Sequence, residues 1–302
     1  MNSILAALSR SYSRVVLLLS VAAVAGCSSI LFTGLNAVSP DAELAQTRGI
    51  VFDRNLDLKL DIYRPKDASD APVIVFYYGG RWEFGKREDY RWFGEALARH
   101  GFVAIVPDYR KYPQVKLDGF MTDAAKALAW SFEHAAEFGG DPNELFVMGH
   151  SAGAHLALML ATNAQWLAPH HIKPIRIAGA IGLAGPYNFL PLTEDDMIGM
   201  FGSTPAEQAR SQPINFADGD EPPMLLLHGA DDNTVWSRNS TTLAQAVNAR
   251  GGRAEVIIYP GVTHSGILLS VSPTFRGKAS ALDDSVKFIQ DTVAQRSAPP
   301  SK

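Results

Sequence analysis

The sequence predicts an α/β domain in which helices cover both faces of a mostly parallel, doubly wound sheet. Three observations predict this fold class. Continuous apolar runs of four or five residues, typical of strands buried on both faces, recur along the chain. Segments with helical periodicity separate these runs, and an alternating hairpin precedes the first of them. Because alternating strands and helices wind into a parallel sheet, we expect the functional site at the carboxyl ends of the strands.

The first predicted element is an antiparallel hairpin. Residues 51–52 and 58–63 alternate apolar and polar side chains around a turn-like segment, Arg-Asn-Leu-Asp. This alternation is typical of strands with one face in the core and the other in water. Arg64-Pro65 ends the second strand of the hairpin.

Six apolar runs predict the strands of the parallel sheet, and five periodic segments predict its helices. The strands are expected at 73–77, 102–106, 145–148, 177–181, 224–227 and 254–258. The helices are expected at 89–100, 120–137, 152–167, 237–250 and 280–295. Residues 186–222 interrupt this alternation with Gly, Pro and acidic residues and no clear strand. We therefore expect them to form a lid-like insertion over the strand ends.

Length and charge limit the classes of function. A chain of 302 residues, 47% of them apolar, is long enough to bury a large core, and we place its folded domain at 48–296. We expect the tail at 297–302 to be disordered. The net charge of −4 and the lack of any long run of like charges argue against a nucleic-acid partner. The sequence does not indicate an oligomeric state.

The first 26 residues have the features of a bacterial export signal. Arg10 and Arg14 precede twelve mostly apolar residues, a length that suits a signal peptide and is too short to span a bilayer. The run ends in Val-Ala-Gly-Cys at 24–27, which resembles the lipobox of bacterial lipoproteins, in which the cysteine is acylated. The resemblance implies a signal peptide at 1–26 and a membrane anchor at Cys27, the only cysteine of the chain.

Two alternatives to lipidation fit the same residues. Cleavage after Ala25 follows the small-x-small rule and would release a soluble periplasmic protein, whereas an uncleaved signal would itself be the anchor. Ser28, by resemblance to Gram-negative sorting signals, favours the outer membrane within the cell envelope. Residues 27–47 have no clear period, so we expect a tether between the membrane and the domain.

A serine between two glycines marks the predicted catalytic centre. Gly149-His150-Ser151-Ala152-Gly153 stands between a predicted buried strand and a helix rich in small residues. A sharp turn at this place exposes the serine hydroxyl at the end of the sheet, and the glycines remove side chains that would collide with neighbouring elements. A serine becomes nucleophilic when it is exposed, close to a base and aligned with donors for the oxyanion. We therefore predict that Ser151 is a catalytic nucleophile.

The predicted base is a histidine that follows the last strand of the sheet. Of the eight histidines, His264 alone lies there, in a segment that we expect to be a loop free to bend over the sheet. We expect His155, one helical turn after the serine, to be packed beneath it. His150 and His228 belong to strand ends, where we expect them to bond to local backbone.

The acid that orients the histidine is expected after the preceding strand. Asp231 and Asp232 both lie there, and only one of them can face the imidazole. The oxyanion needs backbone N–H groups from the residue after the nucleophile and from the loop after the third strand. These positions predict Ala152, Gly80 and Arg81 as donors.

With these residues in place, positions 48–295 resemble an α/β-hydrolase of the esterase/lipase branch. This branch includes hormone-sensitive-lipase-like carboxylesterases, feruloyl and acetyl-xylan esterase-like enzymes, and arylformamidases. Besides the serine motif, the resemblance rests on Asp-Leu-Lys-Leu-Asp-Ile-Tyr-Arg-Pro at 57–65, Pro-Asp-Tyr-Arg at 107–110 and Phe-Gly-Gly-Asp-Pro at 138–142. It implies the α/β-hydrolase fold. The pattern His-Gly-x-x-Asp-x-x-Val of related hydrolases implies Asp232 as the acid.

One departure from this family concerns the loop after the third strand. The family usually opens the loop with His-Gly-Gly, and Tyr78 takes the histidine's place here. A tyrosine hydroxyl is able to fix the loop in a similar way. Arg81 follows the glycines, and we expect its side chain either at the pocket mouth, where it would favour an anionic or polar substrate, or in solvent.

Residues and resemblance together imply a serine carboxylesterase. We expect it to cleave small-molecule esters with short acyl chains through an acyl-enzyme on Ser151, and no metal or organic cofactor is implied. Among enzymes, the alternatives are an arylformamidase or other amidase and a prolyl-peptidase-like exopeptidase. A catalytically inactive hydrolase fold that acts as a binding protein is the alternative outside them. The natural substrate is left open by the sequence.

Overall fold

The computed structural model describes residues 32–37 and 43–298. The chain divides into two units, Met1–Pro40 and Asp41–Lys302. In the first unit, residues 32–37 form a short helical segment. The predicted signal peptide at 1–26 and the predicted anchor at Cys27 lie outside the described residues.

Within residues 43–298, eight strands form one sheet. They are β1 Leu44–Asp53, β2 Leu58–Pro65, β3 Ala71–Tyr77, β4 Val103–Pro107, β5 Gly140–His150, β6 Gly179–Leu183, β7 Met224–Gly229 and β8 Ala254–Tyr259. Their order across the sheet is β1-β2-β4-β3-β5-β6-β7-β8. β2 pairs antiparallel with β1 and β4, and every other neighbouring pair is parallel. The predicted mostly parallel sheet, with an antiparallel hairpin at its start, is confirmed.

Five of the six predicted apolar runs form strands whose faces are both covered by the surrounding elements, whereas the run at 254–258 forms the edge strand β8 and is mostly partly exposed. All side chains at 73–77 in β3 and at 145–148 in β5 have no exposed surface. Complete burial of one such aliphatic or aromatic side chain stabilises the fold by about 1.5–3 kcal/mol. Since β5 to β8 are adjacent and parallel, their carboxyl ends lie side by side along one edge of the sheet.

β1 departs most from its prediction. It begins at Leu44, before residue 48 at which we expected the domain to start, so the last residues of the predicted tether belong to the sheet. Most of its side chains are at least partly exposed, and its pairing with β2 shifts register around Gly49, whose φ is +73°. An irregular edge strand of mostly polar residues lacks the alternation that predicts strands.

Within residues 43–298, eight α-helices accompany the sheet. They are α1 Arg91–Ala98, α2 Leu117–His134, α3 Ala152–Thr162, α4 Asp195–Phe201, α5 Pro205–Ala209, α6 Arg238–Asn248, α7 His264–Leu269 and α8 Ala281–Ser297. None of these helices is long and apolar enough to cross a bilayer. α3 ends before the predicted residue 167 because Asn163 is extended and caps the next turn. α8 includes residue 297, the first of the predicted tail, and residues 299–302 lie outside the described residues.

The segment 186–222 lies between β6 and β7 and contains two short helices that the sequence prediction missed, α4 and α5. α5 begins at a capping box, in which Thr204 Oγ1 accepts a hydrogen bond from Glu207 N and the Glu207 carboxylate accepts one from Thr204 N. The letters Thr-Pro-x-Glu carry that signal. Asn239 of α6 holds the start of the segment, because its Oδ1 accepts hydrogen bonds from the N–H groups of Tyr187 and the next residue.

Candidate active site

Ser151 occupies a strained turn between β5 and α3. Its φ of +55° and ψ of −123° are unusual for a residue with a side chain. Two backbone hydrogen bonds hold this conformation. Ser151 N donates to Leu183 O of β6 at 2.9 Å, and Ser151 O accepts from His155 N at 3.1 Å. The turn lifts the hydroxyl away from the sheet, as the motif predicts.

The two glycines that flank the serine are required by close backbone contacts. A Cβ added to Gly149 would lie 2.3 Å from the carbonyl atoms of Gly153. A Cβ added to Gly153 would lie 1.9 Å from Tyr77 O at the end of β3. The spacing Gly-x-Ser-x-Gly therefore lets the turn press α3 against the neighbouring strand.

The structure brings together the three side chains predicted as nucleophile, base and acid. Ser151 Oγ lies 2.9 Å from His264 Nε2, and His264 Nδ1 lies 2.7 Å from Asp232 Oδ2. The residues follow β5, β8 and β7, whose carboxyl ends share one edge of the sheet. Both distances are hydrogen-bonding distances, so the hydroxyl, the imidazole and the carboxylate form one continuous chain.

Of the two adjacent aspartates, Asp232 faces the imidazole and Asp231 is exposed. The other oxygen of Asp232 accepts hydrogen bonds from Thr234 N and Val235 N at 2.9 and 2.8 Å. Burial raises the pKa of Asp232, but hydrogen bonds from His228 and His264 and from the amides outweigh it. The pKa lies well below its usual range. Asp232 is therefore an ionised acceptor, and His264 donates Nδ1–H to it.

His264 is the first residue of α7, so the prediction that it lies in a free loop is wrong. Thr263 caps this helix, because its hydroxyl accepts a hydrogen bond from Gly266 N. The turn before it packs closely on the end of β7, where a Cβ on Gly229 would lie 2.0 Å from Val262 O. A capped helix and a tight backbone contact thus set the position of the imidazole.

Of two other histidines beside the site, His150 differs from prediction and His228 agrees with it. His150 Nε2–H donates across the site to His264 O at 3.1 Å, so the expectation of local backbone contact is wrong for it. His228 Nε2–H donates to Val235 O at 2.7 Å, as expected, and its Nδ1 accepts from Ser240 Oγ at 2.8 Å. His228 Nε2 also lies 3.3 Å from the acid that follows β7.

The loop after β3 carries the predicted oxyanion donors. Gly79 packs on the nucleophile, since a Cβ there would lie 3.1 Å from Ser151 Cβ. Gly80 has a φ of +128°, and its carbonyl accepts hydrogen bonds from the N–H groups of residues 83 and 84, which closes a tight turn. Within the described residues, the N–H groups of Gly80, Arg81 and Ala152 have no acceptor. They are available to a substrate oxygen, and their role stays a prediction.

Tyr78 anchors this loop through its hydroxyl and its ring. The hydroxyl donates to Asp108 Oδ1 at 2.8 Å, and Arg87 N at the far end of the loop donates to the same oxygen at 3.0 Å. The buried ring stacks on Tyr90 and Tyr109 with centroids 5.2 and 4.9 Å away. Burial, together with the Asp108 charge, raises the pKa of Tyr78, so the hydroxyl keeps its proton. This tyrosine holds the loop from the position where the family usually has histidine.

The Arg81 side chain is paired with carboxylates and remains 40% exposed, so it is partly solvated, as one of the two expectations has it, but its charge is already matched. Its Nη2 lies 2.7 Å from Asp196 Oδ2 and also pairs with Glu194, and its Nε lies 3.5 Å from Glu83 Oε2. Burial raises the pKa of Asp196, and the hydrogen bond from Arg81 outweighs it and lowers the pKa. These pairs tie the loop after β3 to α4 of the insertion.

Aromatic rings join the same loop to the serine turn and to the insertion. This aromatic cluster consists of Trp82, Phe120, His155, Phe189 and Phe201. The Trp82 ring lies 5.2 Å from His155 and 4.9 Å from Phe201, centroid to centroid, edge to face in both pairs. Phe189 and Phe201 belong to the segment 186–222, so the insertion contributes side chains directly beside the site.

His155 is buried beneath the serine turn, where the sequence predicts it. Its Nε2–H donates to Ser211 O at 2.7 Å, and within the described residues its Nδ1 has no hydrogen-bond partner. Burial lowers the pKa of His155 to about 4, against the opposing effect of the bond to Ser211. The imidazole is thus neutral at neutral pH and acts as a packing group of the aromatic cluster.

Comparisons with known proteins point to one family. A model of the BD-FAE family matches residues 60–247. The isoprenylcysteine alpha-carbonyl methylesterase ICME of Arabidopsis thaliana is 30% identical over 263 residues, which cover 80% of this chain and 61% of that protein. The chain thus spans about three fifths of the length of this curated relative.

Solved structures of an esterase share the fold. The apo form of Thermogutta terrifontis esterase 2 matches with a TM-score of 0.68 at 29% identity, over 86% of this chain and 98% of that one. The propionate-bound form of the same esterase matches with a TM-score of 0.68 at 28% identity, over 87% and 98% of the two chains. These matches confirm the α/β-hydrolase fold of the esterase/lipase superfamily.

Proposed function

The chain belongs to the BD-FAE family, and we propose that it is a carboxylesterase that uses Ser151 as nucleophile, His264 as base and Asp232 as orienting acid. One observation carries this proposal. The serine hydroxyl, on a strained turn, lies 2.9 Å from an imidazole whose other nitrogen lies 2.7 Å from a buried carboxylate. This is the arrangement that acyl transfer to serine requires.

Each group has one role in the first half of the reaction. His264 Nε2 takes the proton of Ser151 as Oγ attacks the ester carbonyl carbon, and Asp232 stabilises the imidazolium that forms. The carbonyl oxygen becomes an oxyanion, which the N–H groups of Ala152, Gly80 and Arg81 bind. Each such donor typically contributes about 2.7–4 kcal/mol to the transition state. The tetrahedral intermediate collapses, the C–O bond to the alcohol breaks, and His264 gives the alcohol its proton.

The second half of the reaction restores the enzyme. Water attacks the acyl-enzyme carbonyl while His264 takes one of its protons, and a second oxyanion occupies the same donors. When this intermediate collapses, the bond to Ser151 Oγ breaks and the serine regains its proton from His264. The acid leaves, and no metal or cofactor takes part in these steps.

Short acyl chains are the proposed substrates. The aromatic cluster supports this choice, because its rings pack on one another and on His155, one helical turn after Ser151, and so fill space near the serine turn. The propionate-bound form of Thermogutta terrifontis esterase 2 supports it as well, since propionate is a short acid.

Hydrolysis of p-nitrophenyl esters from acetate to palmitate, by the full chain in detergent, tests the function. We expect activity on the short members and a fall of about 10⁴-fold or more in Ser151→Ala. Ser131→Ala is the matched control, because its hydroxyl donates to Ala127 O within α2 and does not reach the site. Equal activity of Ser151→Ala and wild type would refute the nucleophile, and activity on palmitate alone would refute the short-chain preference.

We also propose that Cys27 is acylated and holds the enzyme in the bacterial cell envelope, with the outer membrane favoured. The sequence Val-Ala-Gly-Cys after an export signal supports this location. Cys27→Ser is expected to lose labelling by a palmitate analogue and to leave the membrane fraction. Retention of Cys27→Ser in the membrane fraction would contradict lipidation. If neither the wild type nor Cys27→Ser is labelled, plain cleavage after Ala25 would be favoured.

A further inference from the structure

His150 bonds to the backbone of the proposed base. It is the residue before the nucleophile, at the variable position of the serine motif, and it is buried. Its Nε2 lies 3.1 Å from His264 O, and the two rings lie 4.9 Å apart, centroid to centroid. The contact joins two segments that are 114 residues apart in sequence.

The acceptor fixes the tautomer of His150. A carbonyl oxygen only accepts, so Nε2 carries the proton and Nδ1 is bare. Within the described residues, Nδ1 has no hydrogen-bond partner, and it faces Gly79, where an added Cβ would lie 3.0 Å from it. Burial, together with the neighbouring His264, lowers the pKa of His150 to about 3. The ring therefore stays neutral and adds no positive charge when the imidazolium of His264 forms.

The bond from His150 to His264 O fixes the distance between His264 and Ser151, which the rest of the structure sets only indirectly. The cap at Thr263 and the contact with Gly229 hold the start of α7 to the end of β7, on the side of the acid. The bond from His150 holds the same helix to the end of β5, on the side of the nucleophile. Because His150 and Ser151 are adjacent, this bond links the backbone of the base to the backbone of the nucleophile.

We propose that His150 is a positioning residue, which holds His264 at reacting distance from Ser151 by donating Nε2–H to the His264 carbonyl. This inference rests on the proposed function. It predicts that loss of the bond leaves substrate binding intact and slows the chemical step. Misplacement of a reacting group by about 1 Å costs on the order of 100-fold in rate.

Two variants of His150 with an amide side chain test whether the hydrogen bond to His264 O matters, because only one of them is long enough to form it. The amide nitrogen of His150→Gln is able to take the place of Nε2 and donate to His264 O, whereas that of His150→Asn lies near the Nδ1 position and falls short. With p-nitrophenyl acetate, we expect His150→Asn to lower kcat by about 10- to 100-fold with KM within about threefold of wild type. We expect His150→Gln to restore kcat to within about threefold.

The proton between His264 Nδ1 and Asp232 gives a readout that does not depend on turnover. The proton NMR signal of this group lies far downfield when the hydrogen bond is short. We expect to observe this signal in wild type and in His150→Gln. We expect it to be broadened or lost in His150→Asn. His155→Asn is the matched control. It removes an equally buried imidazole that bonds to Ser211 O, so it is expected to lower stability and keep the downfield resonance.

The outcomes separate this inference from the proposed function. Equal kcat in His150→Asn and wild type, or equal damage in the Asn and Gln variants with the resonance intact, would overturn the positioning role. Absence of esterase activity from wild type would overturn the proposed function instead. In that case the downfield resonance still shows whether His150 keeps His264 in its hydrogen bond with Asp232.

Discussion

Removal of the Tyr78 hydroxyl tests how the loop after β3 is held. Tyr78→Phe keeps the ring, and therefore its stacking on Tyr90 and Tyr109, and removes only the 2.8 Å hydrogen bond to Asp108. Hydrogen bonds to a charged group contribute about 1.5–3 kcal/mol. Since Asp108 keeps its bonds from Arg87, we expect a loss near the lower end, about 2 kcal/mol in the free energy of unfolding.

The same change is expected to slow catalysis. Asp108 joins both ends of the loop, because the Tyr78 hydroxyl and Arg87 N bind the same oxygen. A loosened loop misplaces the N–H groups of Gly80 and Arg81, the proposed oxyanion donors, and complete loss of one such donor costs about 2.7–4 kcal/mol. We expect about half of that, which corresponds to a fall in kcat of about 10- to 30-fold. Urea unfolding and p-nitrophenyl acetate hydrolysis measure the two effects on one preparation.

Tyr77→Phe is the matched control for this experiment. Tyr77 is the neighbouring residue and equally buried, and its hydroxyl donates to Ala124 O at 2.8 Å. That bond lies outside the loop, so we expect a loss of about 1 kcal/mol in stability with kcat unchanged. A fall in kcat of equal size in both variants, or a loss of stability in Tyr78→Phe with full kcat, would refute the anchoring of the loop by Tyr78.

Three further predictions concern the serine turn, the insertion and pH. Gly153→Ala places a Cβ 1.9 Å from Tyr77 O, so we expect loss of folded protein or a large fall in melting temperature by calorimetry. Asp196→Asn removes one carboxylate from the partly exposed Arg81, so we expect a change in stability of at most about 1 kcal/mol. Because salt screens this pair, we expect kcat/KM to fall with salt in wild type and to fall less in the variant. The lowered pKa of His155, about 4, means that the unfolded chain binds its proton first as pH falls. Stability is then lost between about pH 6.5 and 4, and denaturation at pH 7 and 5 should show a loss that is about 2 kcal/mol smaller in His155→Gln than in wild type, where the lowered pKa of His150 adds to the loss.

Matched variants and opposing results decide these three predictions. Gly277→Ala is the control for the turn, because a Cβ there meets nothing within 4 Å. Asp195→Asn makes the same charge change next to Asp196, and an equal effect on salt dependence would contradict a specific role of the Arg81 pair. Equal loss of stability from pH 7 to 5 in wild type and His155→Gln would show that another group causes the loss.

The features that follow from local pattern were predictable from the sequence. Runs such as 73–77 are apolar because both faces are buried, so their strands are evident without the structure. The turn at Ser151 follows from its glycines, and the order of elements along the chain places His264 after the last strand. Asp231 and Asp232 were not separable from the residues alone, because the choice between them depends on which side chain turns inward.

The features that depend on tertiary contact were not predictable. Asp196, which binds Arg81 most directly, lies 115 residues away on α4, and His150 reaches His264 across 114 residues. No pattern in a single sequence marks such contacts, and the expectation of a local backbone partner for His150 was wrong. α7 was missed because six residues are too few for a helical period, although Thr263 was a usable cap signal.

The position of the proposed catalytic residues after β5, β7 and β8 has a consequence for synthesis of the chain. Ser151 and His264 are 113 residues apart, so a ribosome that adds about 5–20 residues per second makes the second roughly 6 to 23 s after the first. A nascent chain therefore has its serine turn before it has a base. Return of activity during refolding would report the arrival of β8 and α7 at the sheet, and a chain truncated before residue 264 would be inert even with the rest of the sheet formed.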